Sequence, residues 1–269
     1  MSSNLTIIGC GNMGSAIAQA ILEGGLYAAK NLTFVEKNPS PRCLGFQAMG
    51  ASLFDDIDQL VDPLDVVILA VKPQDSGLLF QQLSGRVNEL TLVVSIMAGV
   101  TLSRLENGLK GPQIVRVMPN TPCAIQQGMS VYCGNKQTTL ESLQTTEKIL
   151  STVGKVIKVD SEQLIDAATA ISGSGPAYLF YLAEALMKGA KRLGFTEEQA
   201  NILSTQTVLG ASMLLDQSMD TAGVLRKKVT SAGGTTEAAI RSFDQNEVKE
   251  KLIGGFSSAF DRSVELGKE

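Results

Sequence analysis

The run Leu5–Ile8 leads directly into Gly9-Cys10-Gly11-Asn12-Met13-Gly14, and the helix-period stretch Ser15–Glu23 follows. Three glycines at that spacing restrict what can form. Gly9 permits a tight turn, Gly11 lets backbone approach a pyrophosphate, and Gly14 lets helix and strand pack closely. The helix start then presents free N–H groups and the positive end of its dipole to an anion. A glycine-rich turn without a ligand explains the string alone. Its place between strand and helix, with an acid ending the next strand, points to a dinucleotide. That acid, Glu36, lies 22 residues after Gly14, where a carboxylate bonds ribose hydroxyls and favours NAD. Lys37, Asn38 and Arg42 follow at once, and a cation and an amide there suit a 2′-phosphate. A solvated strand end also accounts for Glu36. NADH against NADPH stays open.

The first 160 residues alternate short β-branched runs with longer amphipathic stretches. The runs predict strands at 5–8, 32–36, 66–71, 92–96, 114–118, 129–133 and 155–159, with Gly- or Pro-bearing turns after most of them. Strands separated by helical patterns argue for βαβ units. The run Val66–Val71 is apolar on both faces, as an interior parallel strand should be. After Asp160 the texture becomes helical. Pro176 suits the first turn of a helix over 177–193, with Gly194 beyond its end. Thr196 with Gln199 forms a capping box for a helix to about Asp216, and Asn246 is placed to cap a last helix. The expectation is an α/β chain: a Rossmann-like, doubly wound, mostly parallel sheet over 1–160, then an all-helical substrate and dimerisation domain over 161–269. The segment Ala177–Ala183 is apolar around its whole circumference and needs cover on every side, which predicts a homodimer.

The chain has no histidine among its 269 residues, which removes Ser-His-Asp and Cys-His catalysis and His-metal sites. Its four cysteines, Cys10, Cys43, Cys123 and Cys133, form neither a C-x-x-C pair nor a metal cluster, so no metal is expected. Their spread suits reduced thiols in a cytoplasmic protein. A net charge of −4 without a basic block argues against nucleic-acid or anionic-membrane partners. Neither a secretory leader nor a membrane span is read from the apolar runs.

Three strings end predicted strands: Ala70-Val71-Lys72-Pro73, Ser95-Ile96-Met97-Ala98-Gly99 and Met118-Pro119-Asn120-Thr121-Pro122. Turn chemistry explains each one separately, but three at the carboxyl edge of a parallel sheet favour a shared site. Two more strings fall in the helical half, Ser172-Gly173-Ser174-Gly175-Pro176-Ala177-Tyr178 and Ser231-Ala232-Gly233-Gly234-Thr235-Thr236. Both read as caps and tight turns. The second, at a helix start, also exposes backbone N–H groups and two hydroxyls suited to a small carboxylate.

In this order, and nearly end to end through Arg262-Ser263-Val264-Glu265-Leu266-Gly267-Lys268, the strings closely resemble the pyrroline-5-carboxylate reductase family. The resemblance implies reduction of the cyclic imine 1-pyrroline-5-carboxylate to L-proline with NADPH or NADH, the last step of proline biosynthesis. It implies that Ile8, Gly9, Cys10, Gly11, Asn12 and Met13 serve the pyrophosphate, and that Lys37, Asn38 and Pro39 lie by the adenosine ribose; Gly14 and Glu36 join the cofactor-binding residues through the glycine-turn reading above. Ala70, Val71, Lys72, Pro73 and Ala98 would flank the nicotinamide half. Thr235 and Thr236 would line the substrate pocket, with Glu162 at a proline-contacting position, and the turn reading above adds Ser231, Gly233 and Gly234 to the substrate-binding residues. Glu162 equally fits a first-turn helix acid. The family implies a homodimer, or a larger assembly of dimers, with helices of two chains interlocking around each site.

Three departures stand out. Ala232 replaces a usual Pro, which costs ~0.4–1 kcal/mol through unfolded-chain entropy, and Met97 replaces a usual Ala and is expected to narrow the nicotinamide side. The Asn often found in the family before the third strand appears here as Asp55 or Asp56, so that contact is not transferred. A protonated imine needs positioning more than a strong acid, which suits a histidine-free site. Thr236 Oγ is the candidate partner of the imine nitrogen, and the backbone N–H groups of 233–235 that of the carboxylate. A 3-hydroxyacid dehydrogenase-like enzyme, with Lys188 or Lys191 as its acid, and a non-catalytic nucleotide-binding scaffold are the alternatives.

Overall fold

The computed structural model describes residues 4–268. The chain forms two compact units, Met1–Ser174 with Ala259–Glu269, and Gly175–Ser258.

The first unit is built on one eight-stranded sheet: β1 (Leu5–Ile8), β2 (Leu32–Val35), β3 (Ser52–Phe54), β4 (Val66–Leu69), β5 (Leu92–Ser95), β6 (Gln113–Met118), β7 (Gly128–Gly134) and β8 (Gly154–Lys158). Their order is β3-β2-β1-β4-β5-β6-β7-β8, parallel except where β7 runs against β6. The first six strands are thus a doubly wound parallel sheet whose order reverses between β1 and β4. Ile8 pairs with Val35 on one side and with Leu69 on the other, so the carboxyl ends of β1, β2 and β4 stand level. That reversal point is where an open α/β sheet leaves a crevice for a ligand.

Helices α1 (Asn12–Glu23), α2 (Pro41–Ala48), α3 (Ser76–Leu83), α4 (Leu102–Leu109) and α5 (Leu140–Ser151) cover the sheet. One core, around Ile7, Ile17, Phe34, Ile68 and Val94, fills one face. A second, around Val67, Leu69, Phe80, Val93 and Leu105, fills the other. The interior strands β1, β4 and β5 are buried at every position, which explains why their sequences, Thr6 and Ser95 apart, are apolar without alternation. All seven predicted strands form. The eighth, β3, is a three-residue edge strand with partly exposed Leu53 and Phe54, too short and too little patterned to be read beforehand.

Beyond β8 the chain is helical. A short α6 (Gln163–Ala168) widens into a π-turn over Thr169–Gly173. The second unit then holds α7 (Gly175–Arg192), α8 (Glu197–Gln217), α9 (Ala222–Lys228) and α10 (Thr235–Gln245), and α11 (Val248–Leu266) passes from that unit to the first. The Thr196–Gln199 capping box forms as expected. Asn246 does not cap the last helix. It closes α10, with its Nδ2 donating to Ser242 O at 2.8 Å, and Glu247 takes a left-handed turn before α11. The strand pattern stops near residue 160 but the compact unit runs on to Ser174, because α6 packs on the sheet through Ile165.

Within this one chain α7 buries no residue, and Phe180 and Tyr181 are 64% and 73% exposed. Leu203, Leu209 and Met213 of α8 are exposed as well. That much apolar surface calls for cover from another molecule. Among the described residues, no helix is long and apolar enough to cross a membrane, and no group of three or more His, Cys, Asp or Glu is placed to hold a metal ion.

Candidate functional site

The glycine loop explains itself atom by atom. Gly9 has φ of +97°, and a Cβ there would lie 2.7 Å from the Ala70 carbonyl group. A Cβ on Gly14 would lie 2.1 Å from Gly9 O. Both glycines are therefore demanded by the fold. Gly11 is different: a Cβ there would meet nothing within 4 Å, and Gly11 caps α1 without a side-chain acceptor for the first-turn N–H groups. The space and the donors are left for something outside the chain, and the pyrophosphate of a dinucleotide fits both.

A cleft of about 440 Å³ opens at this point. Ile8, Gly9 and Gly11 line it from the loop, Glu36, Lys37 and Asn38 from the end of β2, and Ala70, Val71 and Lys72 from the end of β4. These nine were expected. Cys10, Asn12, Met13, Gly14, Pro39, Pro73 and Ala98 fall outside the lining. Cys10 and Gly14 shape the loop from behind. The Cys10 thiol is buried and hydrogen-bonded to Cys43, and its pKa is pushed up by burial first and by Cys43 second. Met97 does not narrow the cleft; its side chain is buried in the core beneath β4 and β5.

Sequence reading missed Asp55, Asp56 and Ile57 in the lining, along with Asp75, Leu79 and Gln82. The first three follow β3, the strand that left no pattern. Glu36 is held in place: its Oε2 accepts from the Cys10 N–H at 2.8 Å and its Oε1 from the Asn38 N–H at 3.1 Å. It latches the glycine loop to the end of β2.

A second polar cluster lies in the same unit. Arg116 of β6, 2% exposed, pairs with Glu162 Oε1 at 2.7 Å and with Asp166 Oδ1 at 2.8 Å. Glu162 Oε1 also accepts from the Leu102 N–H at 2.7 Å, and Ser263 Oγ donates to Asp166 Oδ1 at 3.3 Å. Glu162, expected against substrate, thus has one oxygen committed to Arg116 and to the head of α4. In the Met118–Pro122 string, Asn120 accepts from the Met129 N–H through Oδ1 and donates to Ser172 O through Nδ2, at 2.8 and 3.0 Å. That string and the Ser172–Tyr178 string therefore meet, with structural bonds between them.

In the second unit, Gly233 takes φ of +72° and Gly234 caps α10 without a side-chain acceptor. The Gly233 N–H donates to Glu237 Oε2 at 2.8 Å and the Gly234 N–H to Ser231 O at 3.0 Å. The carboxylate grip expected of 233–235 is thereby narrowed, because the two glycine donors close the turn on itself. Thr235 and Thr236 head the first turn of α10.

A level crevice in a doubly wound sheet, a loop with open space at Gly11 and a fixed acid at the end of β2 define a dinucleotide-binding α/β protein. The comparisons narrow the class. Residues 162–266 match the family model for pyrroline-5-carboxylate reductase dimerisation, and residues 4–99 that for the NADP oxidoreductase, coenzyme F420-dependent, family. The chain is 35% identical to the pyrroline-5-carboxylate reductase of Synechocystis over 100% of both chains. It is similar to the solved pyrroline-5-carboxylate reductase of Coxiella burnetii, with 36% identity, a TM-score of 0.90 and full coverage of both chains. It is also similar to the solved pyrroline carboxylate reductase of Plasmodium falciparum with NADP bound, with 27% identity, a TM-score of 0.86 and coverage of 99% and 98%. The chain belongs to the pyrroline-5-carboxylate reductase family.

Proposed function

We propose that the protein reduces the C=N bond of 1-pyrroline-5-carboxylate to give L-proline, using NADH or NADPH. The observation that carries this reading is the open position at Gly11 at the head of an uncapped α1, in a chain alike end to end with these reductases. The reduced nicotinamide, when bound, supplies a hydride to the imine carbon, and solvent supplies the proton on the ring nitrogen. The first-turn N–H groups of α1 hold the pyrophosphate, and Ala70, Val71 and Lys72, with Pro73 and Ala98 behind, flank the nicotinamide half.

Thr235 and Thr236 present main-chain N–H groups at the head of α10, where a carboxylate is favoured by the dipole. Ser231, Gly233 and Gly234 shape that turn. Thr236 Oγ accepts from the protonated ring nitrogen and orients it. Glu162 acts through Leu102 and Arg116 as a positioning residue. The working assembly is a homodimer or a set of dimers, supported by the exposed apolar faces of α7 and α8. The residues after Asp160 serve substrate binding and assembly, and those before it bind the coenzyme. Four buried, unbridged thiols suit the cytoplasm.

Steady-state reduction of 1-pyrroline-5-carboxylate, followed by loss of reduced-nicotinamide absorbance, tests the reading directly, against a panel of 3-hydroxyacids offered with the oxidised nicotinamides and followed by its appearance. Thr236→Ala should lower kcat/KM by about 100-fold while leaving dinucleotide affinity intact, as expected on losing a positioned polar group. Full activity in that variant would remove Thr236 from the site.

A further inference from the structure

The cleft carries an uneven charge. Glu36, Asp55, Asp56 and Asp75 line it against Lys37 and Lys72, a balance of 2 − 4 = −2. Three of the four acids belong to one end. The Glu36 N–H donates to Phe54 O at 2.9 Å, so Glu36 leaves β2 beside the point where Asp55 and Asp56 leave β3.

Two of the acids, Glu36 and Asp56, are held where the cations are not. Glu36 cannot turn away without giving up the Cys10 and Asn38 N–H bonds. Asp56 Oδ1 accepts from the Asp58 N–H at 3.0 Å and caps the short turn 57–59. Lys37 and Asp55 are both exposed and equally screened by solvent, which leaves the half-buried Glu36 and Asp56 to set the balance, and Arg42 is exposed in the first turn of α2 and lies outside the lining.

A ribose with free 2′ and 3′ hydroxyls donates O–H groups to fixed carboxylates of this kind. A 2′-phosphate offers acceptors only and brings a charge of about −2 against them. We infer that this protein selects NADH over NADPH, with Glu36 the specificity-determining residue and Asp55 and Asp56 reinforcing it. The inference rests on the dinucleotide reading of the cleft and goes beyond it by ranking the two coenzymes.

The test has a binding arm and a turnover arm. Titration of the substrate-free protein with NADH and with NADPH gives two Kd values, and reduction of 1-pyrroline-5-carboxylate with each gives two kcat/KM values. NADH should be favoured about tenfold or more in both arms, since one uncompensated charge contact near a protein surface is enough for that. Glu36→Gln should narrow the ratio about tenfold. Loosening of the glycine loop alone would weaken both coenzymes by one factor and leave the ratio unmoved. Asp55→Asn alters no bond of the glycine loop and should move the ratio the same way. NADPH bound as tightly as NADH by the unaltered protein, or a ratio indifferent to both substitutions, would overturn the inference. Binding of neither coenzyme would overturn the dinucleotide reading, and the preference with it.

Discussion

Arg116 and Glu162 meet at 2.7 Å with the guanidinium 2% exposed, and through them β6, the head of α4 and the start of α6 share one set of charges. Asp166 at 2.8 Å completes the neutralisation of Arg116, and Ser263 in α11 joins through Asp166. Such a group is worth little as a net stabiliser against an apolar replacement of all its members, but breaking it by removing one is costly.

Replacing Arg116 alone leaves Glu162 and Asp166 as partly buried anions facing each other. Arg116→Met should cost about 3–5 kcal/mol in a urea unfolding experiment. The Arg116→Met/Glu162→Gln/Asp166→Asn triple variant should recover much of that. A single variant as stable as the parent protein would show that the cluster is solvated.

Gly14 faces a stricter demand than any charge. With a Cβ 2.1 Å from Gly9 O, Gly14→Ala must push α1 off β1 or distort the glycine loop. The expected outcome is a loss of about 1–3 kcal/mol, as for other overpacked sites, together with loss of NADH affinity in a fluorescence titration. Gly11→Ala, with open space around it, should keep stability and lose affinity only. Equal behaviour of the two variants would contradict the division of labour between these glycines.

The face of α7 bearing Phe180 and Tyr181 should lie in a subunit interface. Tyr181→Glu would place a charge there, and analytical ultracentrifugation should then find a shift toward monomer at micromolar concentration. An unchanged sedimentation coefficient would put the interface elsewhere.

Cys133 provides a pH dependence with a definite sign. Burial, with a smaller push from Glu162, raises its thiol from the ordinary 9.0 to about 11. Below pH 9 both folded and unfolded chains hold the proton, and the contribution to stability is fully present. Between pH 9 and about 11 only the folded chain holds it, so stability falls as pH rises, by up to about 1.4 kcal/mol per pH unit. The melting temperature over that window should fall less steeply in Cys133→Ala. Identical slopes would assign the alkaline loss to other groups.

The strands were legible where burial on both faces left an unbroken apolar run, as in β4 and β5, and illegible where an edge strand is three residues long, as in β3. The site divides in the same way. The glycine spacing, Glu36 and the Ala70–Lys72 turn lie on or just after readable strands, and all of them reach the cleft. Asp55 and Asp56 went unplaced because their strand did. Glu162 shows the converse limit. Its position in the chain is that of a first-turn acid, and nothing local announces an arginine 46 residues earlier as its partner.

Local demands, then, were written in the order of residues: which glycines a tight turn requires, where a helix is capped by Thr196, which runs are apolar enough to lie inside a sheet. These depend on neighbours a few positions apart, and so any stretch of chain carries them. Which acids would face the coenzyme, which glycine donors would be used up within their own turn, and which carboxylates would be neutralised by Arg116 depended on strand order and helix packing. Those interactions join residues far apart in the chain, and their strength is set by burial that exists only once the sheet and its helices have assembled.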